Sequence, residues 1–132
     1  MKLEELNEHF NLIQQLQELQ QTYESMKAKA LGAQRITGMP HGTGVSDKVG
    51  MLAAELADLA GRIKYMQDTV RKNAAPIEEW TNTIEDERTR IIFRLRFLHG
   101  YSWCEVADIL DNRITEDAVK MVCYRYLKIV SE

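Results

Sequence analysis

The chain has 132 residues, of which 45% are hydrophobic and 28% are charged, with a formal net charge of -3. That size fits one domain, or a small domain with an extension. The charge gives no mandate for a nucleic-acid or membrane surface, and no apolar run approaches the roughly 18 residues of a membrane-spanning helix. Acids interrupt the first residues, "MKLEELNEHF", so a secretory leader is not expected and the chain reads as cytoplasmic. Two cysteines, Cys104 and Cys123, fall inside helical patterns and are expected to be reduced and buried.

Residues 3–30 read as one helix. Leu12, Leu16, Leu19, Tyr23, Met26 and Ala30 step alternately by four and three, and Leu3, Leu6, Phe10 and Ile13 form a similar stripe before them. An apolar seam this narrow is the coiled-coil kind. The following stretch, "LGAQRITGMPHGTGVS", holds four of the seven glycines and Pro40. Its density of breakers predicts an irregular, glycine-rich connection over 31–46. Gly42 and Gly44 do not make a phosphate loop, because no Gly-Lys-Ser/Thr follows and no strand precedes.

Ser46 and Asp47 are N-cap candidates for a second long helix. In it Val49, Leu52, Leu56, Leu59, Ile63, Met66 and Val70 keep a strict three-four rhythm, which Ile77, Trp80 and Ile84 extend. Pro76 predicts a kink or break near 74–76, with the proline in the first turn of a new segment. The two seams zip together as an antiparallel hairpin or pair between chains, as a homodimer; the pattern does not choose. Residues 1–84 thus form a coiled-coil-like helical hairpin.

Residues 85–132 differ in texture. "EDERTRIIFRLRFLHG" begins with acids, which suits a helix N-terminus. Ile91, Ile92, Leu95 and Leu98 give its expected buried face, with Arg90, Arg94 and Arg96 on the surface, and His99 and Gly100 end it, the glycine free to take positive φ. Ser102 and Glu105 make an S-x-x-E capping box, with Tyr101 and Val106 as a hydrophobic staple. This helix runs to Leu110 and buries Val106, Ala107 and Leu110. Asp111 and Asn112 suit a turn, with Asn112 tolerant of positive φ. Thr115 caps the last helix, with Ile114 and Val119 as its staple. Val119, Cys123, Tyr126, Leu127 and Val130 form its inner face.

A helix, a turn and a second helix on a supporting helix suit DNA binding, though an ordinary helical corner has the same pattern. Lys120, Arg125 and Lys128 are basic in a stretch with no acid between 118 and 131; they can meet phosphates or form a solvated face. Arg113, in the connection, is a further basic candidate. Asp117 can accept from a cytosine amino group, or with Glu116 can simply stabilise the helix start. Met121 and Tyr124 can touch a thymine methyl or a sugar. Over 85–132 the balance is eight Lys plus Arg against nine Asp plus Glu, whereas DNA-binding domains are usually basic.

"RTRIIFRLRFLHGYSWCEVADIL" followed by "TEDAVKMVCYRYLKIV" resembles the region-four helix-turn-helix of bacterial sigma factors. The carrying features are the Leu-Arg-Phe end of the supporting helix, the cap and "EVA" of the first helix, and "AVK" with "YRYL" in the second. The whole chain is similar to phage-encoded regulators of the ArpU type, through its N-terminal helices, the glycine-bearing loop before "SDKV" and the tryptophan of "GYSW". The fold implied is all-α, a long helical hairpin followed by a sigma region-four-like helix-turn-helix. The function implied is that of a phage or prophage regulator of late genes that binds double-stranded DNA near residues 115–128 and contacts RNA polymerase. Within that resemblance Glu116, Asp117, Lys120, Met121 and Tyr124 fall at groove-facing positions and Arg96 at a DNA-backbone position. The connection "LDNRITEDAV" is longer than the turn of such domains.

Scattered histidines (His9, His41, His99), the absence of a CxxC pair and the lack of any nucleophile–base pair set aside an enzyme, a metal or a cofactor. The competing reading is a protein-only adaptor that docks on RNA polymerase, or a phage packaging protein like a small terminase subunit.

Overall fold

The computed structural model describes residues 1–36, 44–111 and 113–131. Among these the chain is all-helical: α1 (Leu3–Ile36), α2 (Gly44–Thr81), α3 (Glu87–Phe93) continued by a π-helical turn (Arg94–Leu98), α4 (Trp103–Leu110) and α5 (Glu116–Ser131). No described helix is long and apolar enough to cross a membrane.

Both long helices exceed what the glycines and prolines predict. α1 runs on to Ile36 and α2 begins at Gly44, so 31–36 and 44–46 are helical, and Ser46 and Asp47 lie in the first turn instead of capping it. Gly32 meets nothing where a Cβ would stand. A lone glycine costs a helix only about 1 kcal/mol, which a long helix absorbs. Pro40 and Gly42 lie outside the described residues. α2 also passes through Pro76 without ending. The proline forfeits one backbone bond, but Ile77 and Thr81 just beyond it are buried and hold the last turns against the core.

The chain divides into two compact units, 1–14 with 69–132, and 15–68. In the first, Leu6, Ile77 and Ile84 share one buried cluster with Ile92, Phe93, Phe97, Trp103, Val106, Val119, Cys123 and Leu127. Phe93 is its hub. Its ring meets Trp80 edge-on at 5.1 Å, Tyr126 at 5.6 Å and Phe97 stacked at 5.8 Å. Such pairs contribute about 0.5–1.5 kcal/mol each beyond burial. α2 finishes in tight turns, Thr83 N–H to Trp80 C=O and Ile84 N–H to Thr81 C=O, which deliver Ile84 into this core.

The buried face of α3 keeps the expected Ile92 but not Ile91. Thr89, Ile92, Phe93 and Phe97 are buried, while Ile91 is exposed and Leu95 and Leu98 are only half-buried. The π turn, closed by His99 N–H to Arg94 C=O, carries Phe97 under the core. Asp86 starts α3: its carboxylate accepts from the Thr89 hydroxyl at 2.7 Å and the Thr89 amide at 3.0 Å. Those two bonds hold its carboxyl below the usual range. In the second unit, Leu19 of α1 and Ala57, Gly61 and Met66 of α2 line a common cleft.

Candidate nucleic-acid interface

α4 is set by local chemistry. Gly100, at φ 75°, adopts the left-handed region that lets the chain leave the π turn. Its carbonyl accepts from the Gln14 side chain at 2.8 Å. Ser102 Oγ then accepts from the Glu105 amide at 3.1 Å, and the Ser102 amide donates back to Glu105 Oε1 at 3.3 Å, completing the expected capping box. Val106 and Ala107 are buried and Leu110 half-buried. Tyr101 keeps 37% of its surface exposed and stacks on His99, with centroids 6.2 Å apart.

The connection to α5 is built around Asp111. Its carboxylate accepts from the Arg113 amide at 3.0 Å, and its carbonyl from the Ile114 amide at 3.0 Å. Asn112 lies outside the described residues. Thr115 Oγ1 accepts from the Ala118 amide at 3.1 Å, so the expected N-cap of α5 forms. The inner face of α5 carries Val119, Cys123 and Leu127, all buried, with Tyr126 half-buried; Val130, expected there, is exposed. Burial pushes the Cys123 thiol up to about 12, which makes it inert. Cys104, expected to be buried, is exposed on α4.

The candidate contact residues divide by position. Glu116, Asp117, Met121, Tyr124, Arg125 and Lys128 are exposed on α5, and Arg113 is exposed before it. Lys120 is half-buried, its ammonium 3.5 Å from the Glu116 carboxylate. Tyr124 stands edge-on to Trp103 at 6.3 Å. With Lys128 it borders a cleft of about 520 Å³ whose other wall is Met1–Glu4. The exposed face of α5 is therefore acidic at its start and basic in its second half.

Arg96 is set back from this face, within electrostatic reach of Glu116. Its guanidinium sits between the Phe10 ring at 3.6 Å and the Trp103 ring at 4.5 Å, and it donates to the Tyr101 carbonyl at 3.2 Å. It is half-buried, not surface-mounted, and desolvation lowers its pKa from the ordinary value. Two more members of the arginine run are also occupied. Arg90 pairs with Glu87, and Arg94 bonds Thr81 Oγ1 and the Asn82 side chain. Arg88 is the exposed member. With Arg113 it borders a cleft of about 440 Å³ floored by Ile92, Ile114 and Val119. Sequence reasoning did not single Arg88 out as a contact. The signal was its place one residue before Thr89, off the 89–92–93 buried stripe.

No group of three or more His, Cys, Asp or Glu is placed to hold a metal among the described residues. Comparison with protein-family models, curated proteins and solved structures finds no match.

Proposed function

We propose that this chain is a DNA-binding transcriptional regulator of phage or prophage late genes, using α4 and α5 as a sigma-like helix-turn-helix and contacting RNA polymerase. The observation that supports the reading most is the paired capping of α4 and α5 on a common core: two short helices with fixed ends, the second presenting Asp117, Met121, Tyr124 and Arg125 outward. In this reading α4 lies across the DNA backbone and the start of α5 enters the major groove. Lys120, Arg125 and Lys128 serve phosphates, Asp117 and Met121 serve base edges, and Arg113 and Arg88 extend the phosphate contacts. Arg96 holds α1 and α4 together and so sets the angle at which α5 is offered.

The competing reading, a protein-only adaptor on RNA polymerase, draws on the near-neutral balance of 85–132 and on the three arginines occupied within the fold. A small-terminase-like packaging role belongs to the same class. Fluorescence anisotropy with DNA from its own phage genome, at low and physiological salt, separates the classes. Regulation by DNA contact predicts binding that weakens steeply with salt. It also predicts that Lys120→Ala with Arg125→Ala reduces affinity about tenfold or more, two phosphate contacts being lost. Absence of binding to every fragment at low salt refutes it, and retention of RNA polymerase by the immobilised chain then supports the adaptor.

A further inference from the structure

The cleft between the start of α3, the α4–α5 connection and the first turns of α5 has an apolar floor and a cationic rim. Ile92 and Val119 close the floor and are buried, while Leu110, Ile114 and Val122 line it with half-buried apolar surface. Arg88 and Arg113 stand exposed at its border, and neither forms an ion pair among the described residues. Their backbones are fixed. Arg88 lies in the first turn that Asp86 caps, and the Arg113 amide donates to the Asp111 carboxylate at 3.0 Å. The long connection thus supplies Arg113 and Ile114 to one wall, with the Ile114 amide held by the Asp111 carbonyl. Among the described residues Asp86 is the acid of the lining; Glu116 and Asp117 do not border it. The Asp86 carboxylate accepts from the Thr89 hydroxyl and amide and also feels the charge of Arg88, so Arg113 is the freer cation. At about 440 Å³ the cleft falls within the roughly 300–1,000 Å³ of small-molecule sites, which set a few convergent polar groups on apolar walls.

We propose that this cleft binds a small carboxylate with an apolar tail. The tail covers Ile92, Ile114, Val119 and Val122, and takes their apolar surface out of water. The carboxylate stays at the rim, where a guanidinium offers the planar fork of donors that suits it. Each simpler ligand matches only half of the site. An inorganic anion leaves the floor uncovered, a neutral hydrocarbon leaves the arginines unused, and a cation meets like charge. The ligand class follows from the cleft itself and does not depend on DNA binding. One consequence does rest on the DNA reading, which gives Arg88 and Arg113 to phosphates: ligand and DNA then compete for the same two side chains, so an occupied cleft weakens DNA binding.

Octanoate is the probe, titrated into the full chain while backbone amide shifts are followed by NMR. Saturable binding is expected, with the shifts concentrated at residues 88–92 and 113–122. Arg113→Gln weakens it about tenfold, through loss of a charge-assisted contact. Arg88→Gln weakens it less, because Asp86 already shares that cation. Octylammonium, with the same tail and the opposite charge, binds about tenfold more weakly than octanoate or worse. Ala118→Phe, at an exposed position on the edge of the cleft, fills the apolar space and displaces octanoate while both arginines remain. All three substituted positions are exposed, and circular dichroism melts check that each variant folds. No saturable shift at millimolar octanoate, shifts centred outside the cleft, or equal affinity for octylammonium or for the Arg113→Gln variant overturns the proposal. A chain that binds octanoate but no DNA leaves the site standing and removes only the DNA reading.

Discussion

Acidification probes the burial of His9. The imidazole is 2% exposed, and neither Nδ1 nor Nε2 has a hydrogen-bond partner. Glu5, Glu8 and Asn73 border the adjoining cleft of about 270 Å³, but none bonds the ring. Desolvation therefore holds the ring below its ordinary value of 6.5. The unfolded chain binds a proton near 6.5 and the folded chain does not, so unfolding takes up a proton in this window. Stability is fully present above 6.5 and falls as pH drops, by up to about 1.4 kcal/mol per pH unit, until the folded-state pKa is reached. His9→Leu removes both the titration and the unbonded nitrogens. An unsatisfied buried polar group costs about 1–3 kcal/mol, so the variant is expected to be about 1 kcal/mol more stable near pH 7. Urea unfolding of both proteins, stepped from about pH 7 to about pH 5, measures the difference, in which all other titrating groups cancel. Parallel pH dependences, or a leucine variant clearly less stable at neutral pH, refute this account of the core.

Ser102→Ala removes the acceptor for the Glu105 amide and leaves Glu105 without its reciprocal geometry; a loss of about 1 kcal/mol is expected in urea unfolding. The cysteines are expected to separate by accessibility. A thiol reagent labels exposed Cys104 in the folded protein, whereas buried Cys123, with its thiol pushed up to about 12, reacts only at the rate of unfolding. Immediate labelling of two thiols contradicts the packing of α5.

What could be read from the sequence was what local chemistry decides. The Ser102–Glu105 box, the Thr115 cap and the positive φ of Gly100 each depend on residues within one turn, and all three form. The buried stripe of α5 through Val119, Cys123 and Leu127 follows from period alone. Misreadings arose where distant contacts decide. Pro76 does not end α2, because Ile77 and Thr81 beyond it are held by residues far away in the chain. Of the expected α3 stripe Ile91, Ile92, Leu95 and Leu98, Ile92 is buried and Leu95 and Leu98 pack partly buried against the core, but Ile91 faces out. The π turn and the pull of Trp80 and Tyr126 make Phe93 and Phe97 the inner residues instead. Val130 shares the inner periodicity of α5 yet is exposed, whereas Cys104 stands off the Trp103–Val106–Ala107–Leu110 stripe of α4 and so faces outward.

The arginines show why a basic run in the chain is not a basic face. Arg88, Arg90, Arg94 and Arg96 follow one another without an acid between them, yet they spread around α3 and the π turn, and three are engaged within the fold. The exposed arginines of the C-terminal region are Arg88 and Arg113 beside one cleft, and Arg125 on α5. Glu116 and Asp117 stand between the latter two in the chain, and Glu116 partly neutralises Lys120. An anionic partner must therefore engage two separated basic points across an acidic helix start. Within the DNA reading, that arrangement weights affinity toward Arg113 and Arg125. Lys120 has to leave Glu116 before it can serve a phosphate, so its net contribution is reduced by the exposed pair it gives up.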